Sequence, residues 1–154
     1  MTLLPVTIAF RCTSITPHPS LFNRVNLPAK DKMTPPRYQG ILKEEIPVVQ
    51  LADEAGDVRV IAGNFEQTPG RARTFSPVNV WDIRLAGGKT TQLTIPTGHN
   101  TILFVRKGDV EVEGGSGKKD VIGSAQGAIL TMEGTTVSVK VRKCIKYCTV
   151  PDCV

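Results

Sequence analysis

Between Ile46 and Val141 apolar and polar residues alternate in short runs, and glycine or proline interrupts the runs at intervals of roughly ten residues. A repeat of two sends successive side chains to opposite faces of an extended chain. The pattern predicts nine strands, over 48–51, 58–62, 78–85, 90–95, 101–106, 110–113, 120–122, 128–132 and 136–141. In Asp109–Glu113 the valines face one way and the glutamates the other, and in Thr136–Val141 the valines oppose Ser138 and Lys140. Such strands have one wet face. Ile102 to Val105 are apolar without a break, which predicts a central strand covered on both faces. Gly87-Gly88 and Gly114-Gly115 with Gly117 supply the backbone freedom that tight hairpin turns demand.

Nine short antiparallel strands must close or sandwich to protect their edges, and a jelly roll is the common solution at this length. The 154 residues allow one domain of that kind and no more. Residues 1–43 carry Pro5, Pro17, Pro19, Pro28, Pro35 and Pro36 and show no sustained period, so they are read as an irregular arm or linker. Residues 44–142 form the barrel, and 143–154 an irregular tail.

The net charge of +5 raises the question of nucleic acid, and its distribution answers against it. Residues 1–43 hold six Lys/Arg against Asp31, and residues 140–154 hold four against Asp152. The segment 44–139 holds nine against twelve acids, a net of −3. A folded phosphate-binding face would place cations at strand spacing inside the patterned region, and none is visible there. Cys12, Cys144, Cys148 and Cys153 all lie outside that region, and their spacing fits no zinc pattern. No role is assigned to the last three, and with no paired framework in the core a reducing compartment is expected. No apolar stretch approaches the ~18–20 residues of a membrane span. A soluble, cytoplasmic protein without membrane contact is expected.

Catalytic constellations are sparse. Ser76, Ser116, Ser124 and Ser138 lack a GxSxG setting. Asp82 lies inside a strand, where an acid is usually paired or on the wet face. The glycines of Gly63–Ala72 precede no helix, so a phosphate-cradling loop has no support. His18 sits in the unpatterned arm, and His99 lies in a turn, Pro96–Asn100, where it or Asn100 is expected to bond backbone. The segment Gly88–Gly108 has the layout of a cupin metal motif, whose ligands sit on adjoining strands and point into a barrel. Counting from its glycines puts Thr94 and Pro96 at the two histidine positions and Thr101 at the glutamate position, so no ligand occupies them. No catalytic, cofactor or metal residue is assigned. The loop Gly63–Pro77, longer than its neighbours, gathers Arg71, Arg73 and Phe75, and these are the candidates for a partner-binding loop.

Three strings, Asn26–Gln39, Val58–Leu85 and Ile95–Gly114, strongly resemble the pirin family, and the likeness runs from about Val25 to about Val141. They look like its interdomain linker followed by its C-terminal cupin domain. The resemblance implies a single cupin-type jelly-roll barrel. In that family the iron ligands belong to an N-terminal barrel whose HPH and GFE strings this sequence lacks, and the second barrel is metal-free. Family activities include quercetin 2,3-dioxygenase chemistry and metal-dependent partnership with transcription factors or metabolic enzymes. The sequence departs from the family at Gly70-Arg71-Ala72, where GPA is usual, and at its C-terminal end, where the closing GPFVMN string is replaced by the cysteine-bearing tail. The reading that follows is a metal-free binding or structural module, or an inactive remnant, with no enzyme activity of its own. The alternative is a contribution to dioxygenase activity beside a metal-bearing partner barrel. A barrel without its first half is also expected to self-associate, or to bind a protein partner, through the apolar face so exposed.

Overall fold

The computed structural model describes residues 6–12 and 27–143, except Arg37 and Ser116. His18, Cys144, Cys148 and Cys153 lie outside the described residues, as does the tail beyond Lys143. Twelve strands appear in chain order: β1 Val6–Cys12, β2 Val48–Gln50, β3 Gly56–Ala62, β4 Asn64–Phe65, β5 Thr68–Pro69 and β6 Val78–Leu85, then β7 Thr90–Thr94, β8 Asn100–Val105, β9 Asp109–Glu113, β10 Lys119–Ile122, β11 Gln126–Leu130 and β12 Thr136–Lys143. The only helical pieces among the described residues are three-residue 3-10 turns at Ala29–Asp31, Lys43–Glu45 and Ala52–Glu54.

Two sheets face each other. The larger has the order β11-β8-β1-β6-β3-β2 and the smaller β10-β9-β12-β7, while β4 and β5 form a separate small hairpin. Sixteen buried hydrophobic residues make one core, fourteen of them from the two sheets, with Phe65 of the hairpin and Ile95 just after β7. Val58, Val60, Trp81, Ile83, Leu85, Leu103 and Val105 come from the larger sheet, and Leu93, Val110, Val112, Ile122, Val137, Val139 and Val141 from the smaller. Burial of each such side chain contributes about 1.5–3 kcal/mol relative to exposure. The alternation read from the sequence is therefore the inside–outside alternation of the pleat: Val110 and Val112 are buried while Glu111 and Glu113 face Lys119 across the ladder at 3.7 and 3.3 Å.

Two expectations need correction. The arm over 1–43 is not irregular throughout, because Val6–Cys12 is a strand lying between β6 and β8 and parallel to both. The apolar alternation of Val6, Ile8 and Phe10 is short and sits among prolines, so it does not stand out from the arm in one dimension. The strand β8 is interior to its sheet, but it is not covered on both faces. Leu103 and Val105 are buried, whereas Ile102 is 38% exposed and pairs in register with Ile129, itself 79% exposed. Four consecutive apolar residues there reflect an outer face that is apolar and open, not a second core.

Candidate functional site

The loop carrying Arg71, Arg73 and Phe75 is pinned at both ends of its first half. After β3 the chain turns through the β4–β5 hairpin, and the Gly70 N–H then donates to the Gly63 carbonyl at 2.7 Å. The Ala72 N–H donates to the Ile61 carbonyl at 2.9 Å, beside a parallel bridge between Ala62 and Ala72. Arg71 thus stands between two tethered residues. The arm comes up against this loop. The Gln39 side-chain amide makes two bonds to the backbone of Arg73, its Nε2 donating to the carbonyl at 2.7 Å and its Oε1 accepting from the N–H at 2.9 Å. Glu45 serves both sides, with Oε2 accepting from the Leu42 N–H at 2.8 Å and Oε1 3.7 Å from Arg71 Nη2. A cleft of about 410 Å³ lies between arm and loop, lined by Tyr38, Gln39, Glu45, Arg71 and Arg73 among others.

The structure therefore brings Arg71 and Arg73 to one cleft and leaves Phe75 off its lining, 42% exposed. Tyr38, 98% exposed, Gln39 and Glu45 escape sequence reasoning, because an aperiodic polar segment carries no sign of what it will lie against. Replacing Gln39 by alanine is expected to lower stability by only about 1 kcal/mol, since the bonds are solvent-exposed. The same change should clearly speed hydrogen exchange at the Arg73 amide, and an unchanged rate would show that the arm is not held there.

The remaining candidates are placed elsewhere. Asp82 is part-buried on the outer face and pairs with Arg59, 3.3 Å from its Nη1. His99 closes a turn through its backbone N–H, which donates to the Pro96 carbonyl at 3.3 Å. Burial pushes the His99 imidazole below its ordinary value of 6.5. The unfolded chain then binds a proton that the folded chain resists, so this contribution is present above 6.5 and is lost as pH falls below it. The urea midpoint is expected to drop between about pH 7 and about pH 5, and His99→Gln should flatten that drop. An identical pH profile in the variant would assign the slope to other groups.

The three motif positions do not point together. Thr94 and Pro96 are exposed, and the inward places of that segment belong to Leu93 and Ile95. The pleat puts residues 93 and 95 inside instead. Thr101 does point inward; it is 1% exposed, and its Oγ1 has no hydrogen-bond partner among the described residues. One neutral hydroxyl among aliphatic side chains does not fit a first-row transition metal, which needs several imidazole, thiolate or carboxylate donors.

Two facing antiparallel-rich sheets around an apolar core define a cupin-type double sheet. A crystal structure of quercetin 2,3-dioxygenase from Acinetobacter baumannii superimposes with a TM-score of 0.71 and 39% identity, covering 77% of this chain and 40% of that one. A second structure, from Geobacillus kaustophilus, shares the fold with a TM-score of 0.67. In sequence, 44% identity over 106 residues links the chain to the Pseudomonas aeruginosa protein named "Putative quercetin 2,3-dioxygenase", covering 69% of this chain and 35% of that protein. Pirin-1 of Arabidopsis thaliana is 31% identical over 116 residues, covering 75% of this chain and 39% of its own length. No family model matches the chain. The homologues of this chain are pirin and pirin-like, quercetin 2,3-dioxygenase-like proteins, and the chain spans between a third and two fifths of the length of the two curated relatives named here.

Proposed function

We propose that this chain is a pirin-type cupin module that works by surface recognition of a protein partner and performs no metal chemistry by itself. The observation that supports this reading is the filling of the space between the sheets. Leu93, Ile95, Leu103 and Val105 take the inward positions of the segment that resembles the ligand motif, so metal donors there would have to replace close-packed aliphatic side chains. The recognition surface is then outside the barrel. The arm–loop cleft suits a partner that presents a carboxylate, because Arg71 and Arg73 line it and a guanidinium fork matches that group. Arg71 already pairs with Glu45, at 3.7 Å and in solvent, which is a weak contact that an incoming carboxylate can replace.

The names of the relatives favour a second reading, in which the chain contributes to quercetin 2,3-dioxygenase activity beside a metal-bearing barrel. One experiment separates the two. The purified chain is incubated with ferrous iron, passed through a desalting column, and assayed for bound iron and for loss of quercetin absorbance. Iron well below one ion per chain and an unchanged spectrum are expected. Stoichiometric iron together with quercetin oxidation would overturn the proposal. Turnover that appears only when the metal-bearing part of a relative is added as a separate polypeptide would establish the second reading.

A further inference from the structure

Every ladder in the two sheets is antiparallel except those of β1. The strands β6 and β8 make no ladder with each other, and each instead pairs with β1, over Val6–Phe10 against Val78–Asp82 on one side and Asn100–Phe104 on the other. Without β1 two unpaired backbone edges would face each other about 10 Å apart, twice the strand spacing and so wide enough for one strand. A row of unpaired N–H and C=O groups on one strand already attracts another strand, and here there are two such rows. Because β1 runs parallel to both neighbours, no tight hairpin turn joins it to either, and it enters the slot from a separate part of the chain. Residues 13–26 separate it from the rest of the described chain, a length that when extended reaches at most about 50 Å.

From this topology we infer that the slot between β6 and β8 is a strand-docking site, filled by the chain's own Val6–Cys12 and able to take the same segment from a second copy. Recognition is by main-chain ladders on both edges, as in other cases of strand addition. Exchange of one identical element between two copies creates a dimer with few new contacts. This inference is independent of whether the module binds metal.

The test uses the full chain and Ala9→Pro, which removes a main-chain donor from the middle of the segment. In the variant, amides of β6 and β8 are expected to exchange about tenfold faster or more, and a labelled peptide of residues 4–13 should bind saturably. A peptide carrying the same proline should not bind. Light scattering should show a concentration-dependent dimer for the natural chain, and mixing tagged with untagged copies at mild denaturant should give mixed dimers. Unchanged exchange at β6 and β8, or a folded variant that ignores the peptide, would overturn the proposal. If Ala9→Pro does not fold, a specific protease site inserted between Pro19 and Ser20 replaces it. After cleavage the N-terminal piece should stay with the barrel and exchange with labelled piece. Its immediate loss with β6 and β8 still protected would sink the idea, and a strict monomer at all concentrations would overturn the second-copy part.

Discussion

Replacing Trp81 by alanine is expected to lower the unfolding free energy by about 3–5 kcal/mol, a large part of the total for a domain of this size. Three contributions add at this position. The indole is 1% exposed and is the largest fully buried side chain, so its removal leaves a cavity between the sheets. Its ring meets that of Phe65 edge to face, with centroids 5.1 Å apart and planes at 86°. Such a pair contributes about 0.5–1.5 kcal/mol beyond area burial. The indole N–H also donates to the Asn64 carbonyl at 3.1 Å, and that bond fixes the β4–β5 hairpin against the core. Urea unfolding followed by far-ultraviolet circular dichroism measures the effect. Trp81→Phe should retain most of the stability, because it loses the hydrogen bond and only part of the volume. A loss below about 1 kcal/mol in the alanine variant would mean that the core can collapse onto the vacancy. Loosening of the hairpin should reach the Arg71 region too, since that loop follows it directly.

The second large effect is expected at Gly56, where β3 begins opposite Leu85. Its φ is +142°, and a Cβ built there would land on the Arg84 carbonyl oxygen of the neighbouring strand, with Leu85 Cα 3.0 Å away. Both obstacles are backbone, so no side chain can swing aside. Gly56→Ala should cost about 2–4 kcal/mol, combining unfavourable backbone conformation with a displaced ladder. The proper control is Gly88→Ala. That residue also has positive φ, at +76°, but a Cβ there meets nothing within 4 Å, so the cost should be the conformational term alone, about 1–2 kcal/mol. Equal losses in the two variants would show that crowding between β3 and β6 contributes nothing. Thermal melts of both proteins under one set of conditions make the comparison.

Both residues show what a one-dimensional reading can reach. Trp81 is legible as an inward residue, because it falls in the alternation of Val78–Leu85, although its neighbours Val80 and Asn79 are buried too and blur the period. Phe65 is not legible, since it lies in what reads as a loop and enters the core only because the β4–β5 hairpin folds it back. The candidate loop is half visible. Arg71 and Arg73 stand out as clustered cations, but Tyr38, Gln39 and Glu45 lie 26 to 35 positions upstream in a segment without period. Nothing local marks them as the other wall of a cleft.

By itself the sequence determined the strand-rich class, nine of the eleven described strands from β2 to β12 to within two residues at their ends, with the β4–β5 hairpin missed, and the likeness to pirins. Those properties are written in near-neighbour spacing: the pleat repeats every two residues, and turns are punctuated by glycine and proline. Tertiary structure alone decided that Val6–Cys12 fills the slot between β6 and β8, that residues 93 and 95 and not 94 and 96 face the interior, and that arm and loop meet at Gln39 and Arg73. These depend on which distant segments pair, and in what register. Backbone ladders are chemically the same whatever the side chains, so register is set only when the two sheets close on a common core.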